Sequence, residues 1–417
     1  MNGRGLIHDW NVAEFETLAW GRHVALNDET LRDGLQSPSV TDPPVAAKIR
    51  LLHLMDELGI HAADIGLPAA GPRAVADVTR LCEEIRDSKL SIEPNCAART
   101  VVADVEPVVG IAQRTGVEVE VCAFIGSSPI RRFAEGWTLD RMLHTAEESV
   151  SFCVREGLPV MFVTEDTTRA DAETLKALYG NAIGWGARRI CLSDTVGHAT
   201  PSGVRALLRF VKREIVDPSG VRVKIDWHGH RDRGLGLANA LAAIEAGADR
   251  IHATAMGIGE RVGNVEMDLL LVNLALAGVH DADLSLLSEY CELVARECEV
   301  PLPPNYPVIG ADAFRTATGV HAAAIIKAHA KGADWLADRV YSGVPASLVG
   351  RHQVIEVGPM SGISNVRYWL ADRGYDAGDS ELCERIFNRA KEVDHTLSED
   401  EVIGIVEQVQ QSVDDSS

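Results

Sequence analysis

The chain has 417 residues, of which 46% are hydrophobic, 24% charged and 5% aromatic; this is the composition of a globular α/β protein and excludes disorder for the chain as a whole. Its 40 Lys and Arg stand against 61 Asp and Glu, a formal charge of −21, so polyphosphate backbones and anionic membranes are repelled at long range. Nucleic acid and membrane are therefore not expected as partners, and an anionic small substrate would need local arginines or a metal ion.

The eight cysteines include no CxxC pair, and the first residues, MNGRGLIHDW, contain no apolar stretch. Reduced thiols, no secretion signal and a cytoplasmic location are the expectation. No apolar run approaches the ~18 residues of a membrane span.

Residues 1–22 form an N-terminal extension. From His23 onward, short apolar runs alternate with amphipathic stretches of helical period. The runs HVALN, HAADIG, LSIEPN, VEVEVCAF, LPVMFV, RRICLS, VRVKIDW and DRIHAT predict eight strands. Between them, segments such as PPVAAKIRLLHLMDELG and GLGLANALAAIEAG predict helices closed by glycine. This alternation over 23–280 predicts an α/β fold, a (β/α)8 TIM barrel. A doubly wound open sheet is the competitor, but no GxGxxG follows the first strand. Residues 281–417 predict a linker and an α-rich C-terminal accessory region, with helices in SLLSEYCELVAREC and TGVHAAAIIKAHAKGADWLA around the Pro-rich VPLPPNYPVIG.

In such a barrel the chemistry sits where the strands end, and polar residues gather there. The first strand runs into Asn27 to Gly34, the fifth into Thr164–Asp166, the sixth into Ser193–Thr195, and the seventh into His228, Gly229 and His230. Two histidines two apart on a strand share a face. With a carboxylate such as Asp28 they suit a divalent metal; the alternatives are a histidine pair bonded to its neighbours and an Asp28 that caps a helix. The glycine-dense GIGERVGN, residues 257–264, suits close backbone approach to a ligand or simply a tight turn.

Together, LNDETLRDGLQ, GLPAAG, FVTEDTTR, LSDTVGHATP, HGHRDRGLGLANALAAIEAGA and GIGERVGN resemble the isopropylmalate synthase and homocitrate synthase family of metal-dependent barrels. TGVHAAAI and VGPMSGISN extend the resemblance into the C-terminal region. The resemblance implies condensation of acetyl-CoA with a 2-oxo acid and release of CoA. It implies Asp28, His228, His230 and Asn264 as ligands of a zinc, magnesium or manganese ion, and Arg32 as the stabiliser of the developing oxyanion. His321, assisted by Glu165, is implied as the base, acting across a homodimer. Asp33, Gln36, Arg99 and Thr195 are expected to contact substrate.

Departures from the family pattern bear on the acceptor. Leu35 stands where a glutamate is usual, Cys122 and Ala123 replace polar residues, His352 replaces a tyrosine, and Arg231 replaces an asparagine. Without a cation in VCAFIGSS, a short apolar 2-oxo acid such as 2-oxoisovalerate or pyruvate is expected. Homocitrate or citramalate formation is the alternative, with Arg131 and Arg132 close in sequence. A carbon–carbon lyase or aldolase on the same barrel is the reading from another class, and a non-catalytic binding protein is the third. Family members inhibited by leucine carry a further C-terminal domain for which this chain is expected to be too short.

Overall fold

The structure, a computed structural model, describes residues 6–8 and 24–414. The expected N-terminal extension falls almost wholly outside the described residues. Eight parallel strands close into a barrel in chain order: β1 Ala25–Asp28, β2 Ala62–Asp64, β3 Glu93–Arg99, β4 Glu120–Gly126, β5 Val160–Glu165, β6 Arg189–Asp194, β7 Lys224–Gly229 and β8 Arg250–Ala253. Each overlaps one of the predicted runs. β8 returns to β1 with Asn27 opposite His252 and Asp28 opposite Ala253.

The connecting helices begin and end as their sequences demand. Thr138 accepts a hydrogen bond from the Arg141 amide at 3.2 Å, and Asp171 from the Thr174 amide at 2.8 Å, satisfying N–H groups that have no partner within their helices. Gly116 and Gly136 end helices in the left-handed region, where a side chain would be strained. The outer faces of the strands are clamped by Leu26, Ala63, Phe162, Ile190, Trp227 and Ile251, all buried.

The inner faces are less apolar than a barrel core needs to be. Alternation with period two points Asn27, Asp64, Asn95, Glu120, Arg189, Asp226, His228, Arg250 and His252 inward. All but Glu120 are buried. Deepest lies a ring of charges. Glu120 takes Arg189 Nε at 3.0 Å and Arg250 Nη2 at 2.7 Å, and Asp226 takes Arg189 Nη1 at 2.8 Å and Arg250 Nε at 2.6 Å.

The chain divides into two compact units, and the break falls between Pro301 and Leu302, later than the boundary at 280 that the change of pattern suggests. The reason is the helix Leu287–Glu297, whose Tyr290 and Cys291 are buried. The Tyr290 hydroxyl bonds to Asp28 and lies 3.4 Å from Thr30 Oγ1. The C-terminal unit, from 302, is α-rich. It packs Trp369, Leu370, Ile386, Val402 and Val406 among the helices Ile363–Asp372, Ser380–Glu392 and Glu399–Asp414. It also carries a two-stranded parallel pair, Arg315–Thr316 with Val354–Ile355. Among the described residues, no helix is long and apolar enough to cross a membrane.

Candidate functional site

After β1 the chain turns sharply: the amides of Arg32 and Gly34 both donate to the Glu29 carbonyl, at 3.1 and 3.0 Å. That turn sets Arg32 and Asp33 at the barrel mouth. Arg32 is held on three sides, with Nε on Asp64 at 2.8 Å, Nη1 on Asp33 at 2.7 Å and Nη2 on Glu29 at 2.8 Å. Burial alone would lower its pKa, but the three carboxylates outweigh it and keep the guanidinium charged. Three of its five N–H groups are used, which leaves two for a ligand.

Beside it, His228 and His230 turn their Nε2 atoms to within 3.2 Å of each other. Asp33 Oδ2 is 3.7 Å from His230 Nε2 and accepts from Asn264 Nδ2 at 2.5 Å. Asp33, His228 and His230 form a group whose potential ligand atoms lie within 4.8 Å of one another. Burial and the neighbouring His228 push the His230 imidazole down to about 4, so it is neutral near pH 7 with a lone pair to give. Glu29, His228 and His252 form a second such group. Burial would raise the Glu29 carboxyl, but Arg32 and the two imidazoles hold it well below its ordinary range.

Asn264 is delivered by the glycine-dense loop after β8. Gly263 has φ +101°, and a Cβ there would fall 1.8 Å from the Gly257 carbonyl oxygen; at Gly259, φ +147°, it would meet Asn264 Nδ2 at 2.2 Å. Only glycine permits this turn.

The site's chemistry suits a divalent ion. Two imidazole nitrogens bound to one ion at about 2.0–2.1 Å sit roughly 3.0–3.4 Å apart, and the observed pair matches. Asn264 Oδ1 is buried with no hydrogen-bond partner among the described residues, a costly state for a polar atom. Three carboxylates, Glu29, Asp33 and Asp64, face one guanidinium, a surplus of negative charge that a cation would balance.

Asp28 is not part of this arrangement, contrary to the sequence-based expectation. Alternation along β1 turns Asn27 and Glu29 inward and Asp28 outward. There its Oδ1 accepts the Thr30 amide at 2.8 Å and its Oδ2 the Tyr290 hydroxyl. Burial lifts its carboxyl to about 6. The carboxylate beside the histidines is Asp33, expected from sequence to contact substrate.

A cavity of about 150 Å³ opens onto the cluster. Gln36, Glu165 and Thr195 line it as expected. Thr195 Oγ1 accepts the Asp166 amide at 2.8 Å. Glu165, at the end of β5, is raised by burial, which Arg131 at 3.8 Å partly offsets. Arg99 does not line it: β3 runs on to this residue, and its exposed guanidinium forks onto Asp104 at 2.6 and 2.9 Å. His321 belongs to the C-terminal unit, where its exposed ring stacks on Tyr341 at 4.1 Å. Sequence reasoning missed Glu29, Asp64, His252 and Glu260, all of which line the cavity or anchor Arg32. For Asp64 the signal was available, a charged residue at an inward position of an otherwise apolar strand; His252 shares its inward face with Arg250.

The profile of the HMGL-like family matches residues 23–294. The chain belongs to the HMGL-like family. Among its relatives, a probable 2-isopropylmalate synthase of Methanopyrus kandleri is 32% identical over 377 residues, covering 89% of this chain and 70% of that protein. A homocitrate synthase of the same organism is 32% identical over 373 residues, covering 88% and 87%. An HMG-CoA lyase from Brucella melitensis superposes with a TM-score of 0.55 at 19% identity, over 67% of this chain and 99% of that one, a likeness of fold.

Proposed function

We propose that this HMGL-like protein is an acyltransferase that condenses acetyl-CoA with a short apolar 2-oxo acid and releases CoA as water hydrolyses the thioester, as a 2-isopropylmalate synthase does. The observation that carries the reading is a carboxylate, two imidazoles and an amide gathered beside a triply anchored arginine, at a cavity lined in part by apolar side chains. Asp33, His228, His230 and Asn264 would hold a divalent ion, which supplies Lewis-acid polarisation of the keto group. The two free N–H groups of Arg32 donate to the oxygen that gains charge as the new carbon–carbon bond forms. His321, assisted by Glu165, takes the proton from the acetyl methyl group, in the site of a homodimer.

The cavity wall supports this choice of acceptor. Leu67, Ala97, Cys122, Phe124, Met161 and Val163 line it, and among its described residues Arg32 is the one Lys or Arg. Burial pushes the Cys122 and Cys191 thiols well up, so these walls stay neutral. Neither Arg131 nor Arg132 lines the cavity; Arg131 pairs with Glu135 at 2.7 Å, and Arg132 donates to Thr174 Oγ1 at 3.0 Å. A second substrate carboxylate would meet no counter-charge here.

Release of free CoA from acetyl-CoA, measured over a panel of 2-oxo acids, tests the reading. 2-Oxoisovalerate or pyruvate should exceed 2-oxoglutarate; the reverse order would assign homocitrate-type chemistry, and cleavage of hydroxyacyl-CoA thioesters without condensation would assign a lyase. His321→Ala should abolish hydrogen–deuterium exchange at the acetyl methyl while metal content is kept; undiminished exchange would remove His321 from the base role.

A further inference from the structure

Glu29 is buried, with its side chain 3% exposed, and its two oxygens touch three residues. Oε2 is 2.8 Å from Arg32 Nη2 and 2.9 Å from His228 Nδ1, and Oε1 is 2.7 Å from His252 Nδ1. His252 is fixed from its other side, where Nε2 lies 3.0 Å from Asp226 Oδ2. A line of close charged contacts therefore runs from the deep charge ring through Asp226, His252 and Glu29 to His228 and Arg32, its His252–Glu29 link being one of proximity and not of hydrogen-bond geometry.

The geometry divides the two nitrogens of His228. Nε2 faces His230 and Nδ1 faces Glu29. In neutral imidazole one nitrogen carries the proton and the other the lone pair, and the partner of one nitrogen decides which is which. We propose that Glu29 is a positioning residue: it holds the proton of His228 on Nδ1, so that Nε2 presents its lone pair to a metal ion, and it fixes Arg32 in register with that nitrogen. This rests on the reading of His228 as a metal ligand. It gives one carboxylate control of both the ligand and the oxyanion donor, and it makes Glu29 a brace and not a ligand, although Glu29, His228 and His252 could by distance alone hold an ion themselves.

The test uses the full chain, metal-stripped and titrated with zinc or cobalt against a competing chelator, in wild type, Glu29→Gln and Asp33→Asn. Glu29→Gln keeps the shape and removes the charge. It should weaken binding about 10- to 100-fold, as loss of a ligand's supporting partner does, and Asp33→Asn should weaken it more. Nitrogen-15 spectra of the metal-free histidines supply a readout that a general structural defect would not move. His228 should be the Nδ1–H tautomer in wild type and a mixture in Glu29→Gln. Wild-type affinity and tautomer in Glu29→Gln would overturn the proposal. So would loss of metal from Glu29→Gln with retention by Asp33→Asn, since Glu29 would then be a ligand. If neither substitution alters binding, the metal-centre reading itself fails and takes the proposal with it. Should Glu29→Gln not fold, His252→Gln removes the brace behind Glu29. A smaller loss in the same direction supports the proposal, and an unchanged affinity overturns it.

Discussion

Glu120, Arg189, Asp226 and Arg250 close a ring inside the barrel in which two carboxylates meet two guanidiniums and every carboxylate oxygen has a donor. At the mouth of the same barrel, Glu29, Asp33 and Asp64 surround a single Arg32, while Asn264 Oδ1 has no hydrogen-bond partner among the described residues. Both clusters are largely buried, each with one partly exposed member, Glu120 and Arg32, so burial does not separate structure from function. Balance does: a buried ionic group complete within the chain has no need of anything else, whereas surplus charge and unbonded lone pairs at the mouth call for a ligand.

The sharpest way to break this comparison is at the mouth. Asp33→Asn or His228→Ala should lower kcat/KM at least ~1,000-fold, about 4 kcal/mol of transition-state stabilisation, and strip metal from a protein whose circular dichroism is unchanged. Retained metal in both would refute the assignment. Arg32→Lys keeps the charge but not the planar fork, so kcat should fall roughly 100-fold with a smaller change in KM for the 2-oxo acid. A change confined to KM would make Arg32 an anchor for substrate.

In the ring the expected effects move from activity to stability. Glu120→Gln leaves two buried guanidiniums short of a counter-charge and should cost about 2–3 kcal/mol in urea unfolding, less than a fully buried pair because Glu120 is partly exposed. Metal affinity and kcat should stay within about twofold of wild type. A loss of metal affinity would mean that the ring and the mouth are one unit. Acid offers a second handle on Asp226. Burial alone would raise its carboxyl, but Arg250 and Arg189 hold it well below the ordinary range. A depressed carboxyl contributes stability above its unfolded value of about 3.9 and loses it as pH falls through the folded one. Urea midpoints should therefore drop steeply below about pH 4 in wild type and less steeply in Asp226→Asn. The smallest effect belongs to Arg99→Ala, expected within twofold in KM because its guanidinium is taken by Asp104 outside the cavity; a large rise would restore it to the site.

Most of the barrel was legible because parallel strands buried on both faces announce themselves as short apolar runs. His228 and His230 were legible as a pair because residues two apart on a strand share a face, whereas Asn264 was reached only through the resemblance of GIGERVGN. Asp28 was preferred to its neighbours although Asn27, Asp28 and Glu29, at and just past the end of β1, are three polar residues in a row, so hydropathy does not reveal which of them face inward. Asp33 lies beyond that strand, in a turn where neither period applies. The run LSIEPN stops at Asn95, but β3 continues four residues further, and hydropathy gives no sign that Arg99 at its end would be taken by Asp104. The charge ring escaped notice for the opposite reason: Glu120, Arg189 and Arg250 stand at strand starts, where charged residues ordinarily reach solvent.

The bond from Tyr290 to Asp28 bears on how small this barrel can be made. A gene fragment ended at residue 280, where the βα alternation stops, would encode all eight strands and all the proposed ligands, yet it would lack the hydroxyl that shields the buried carboxyl at the end of β1. That carboxyl sits one residue from Glu29 and five from Asp33, so the uncapped end would be the one that carries the first of the proposed metal ligands. A fragment ended at Pro301 keeps the helix and its tyrosine. For anyone transplanting this barrel or shuffling it between relatives, the minimal portable piece includes Leu287–Glu297.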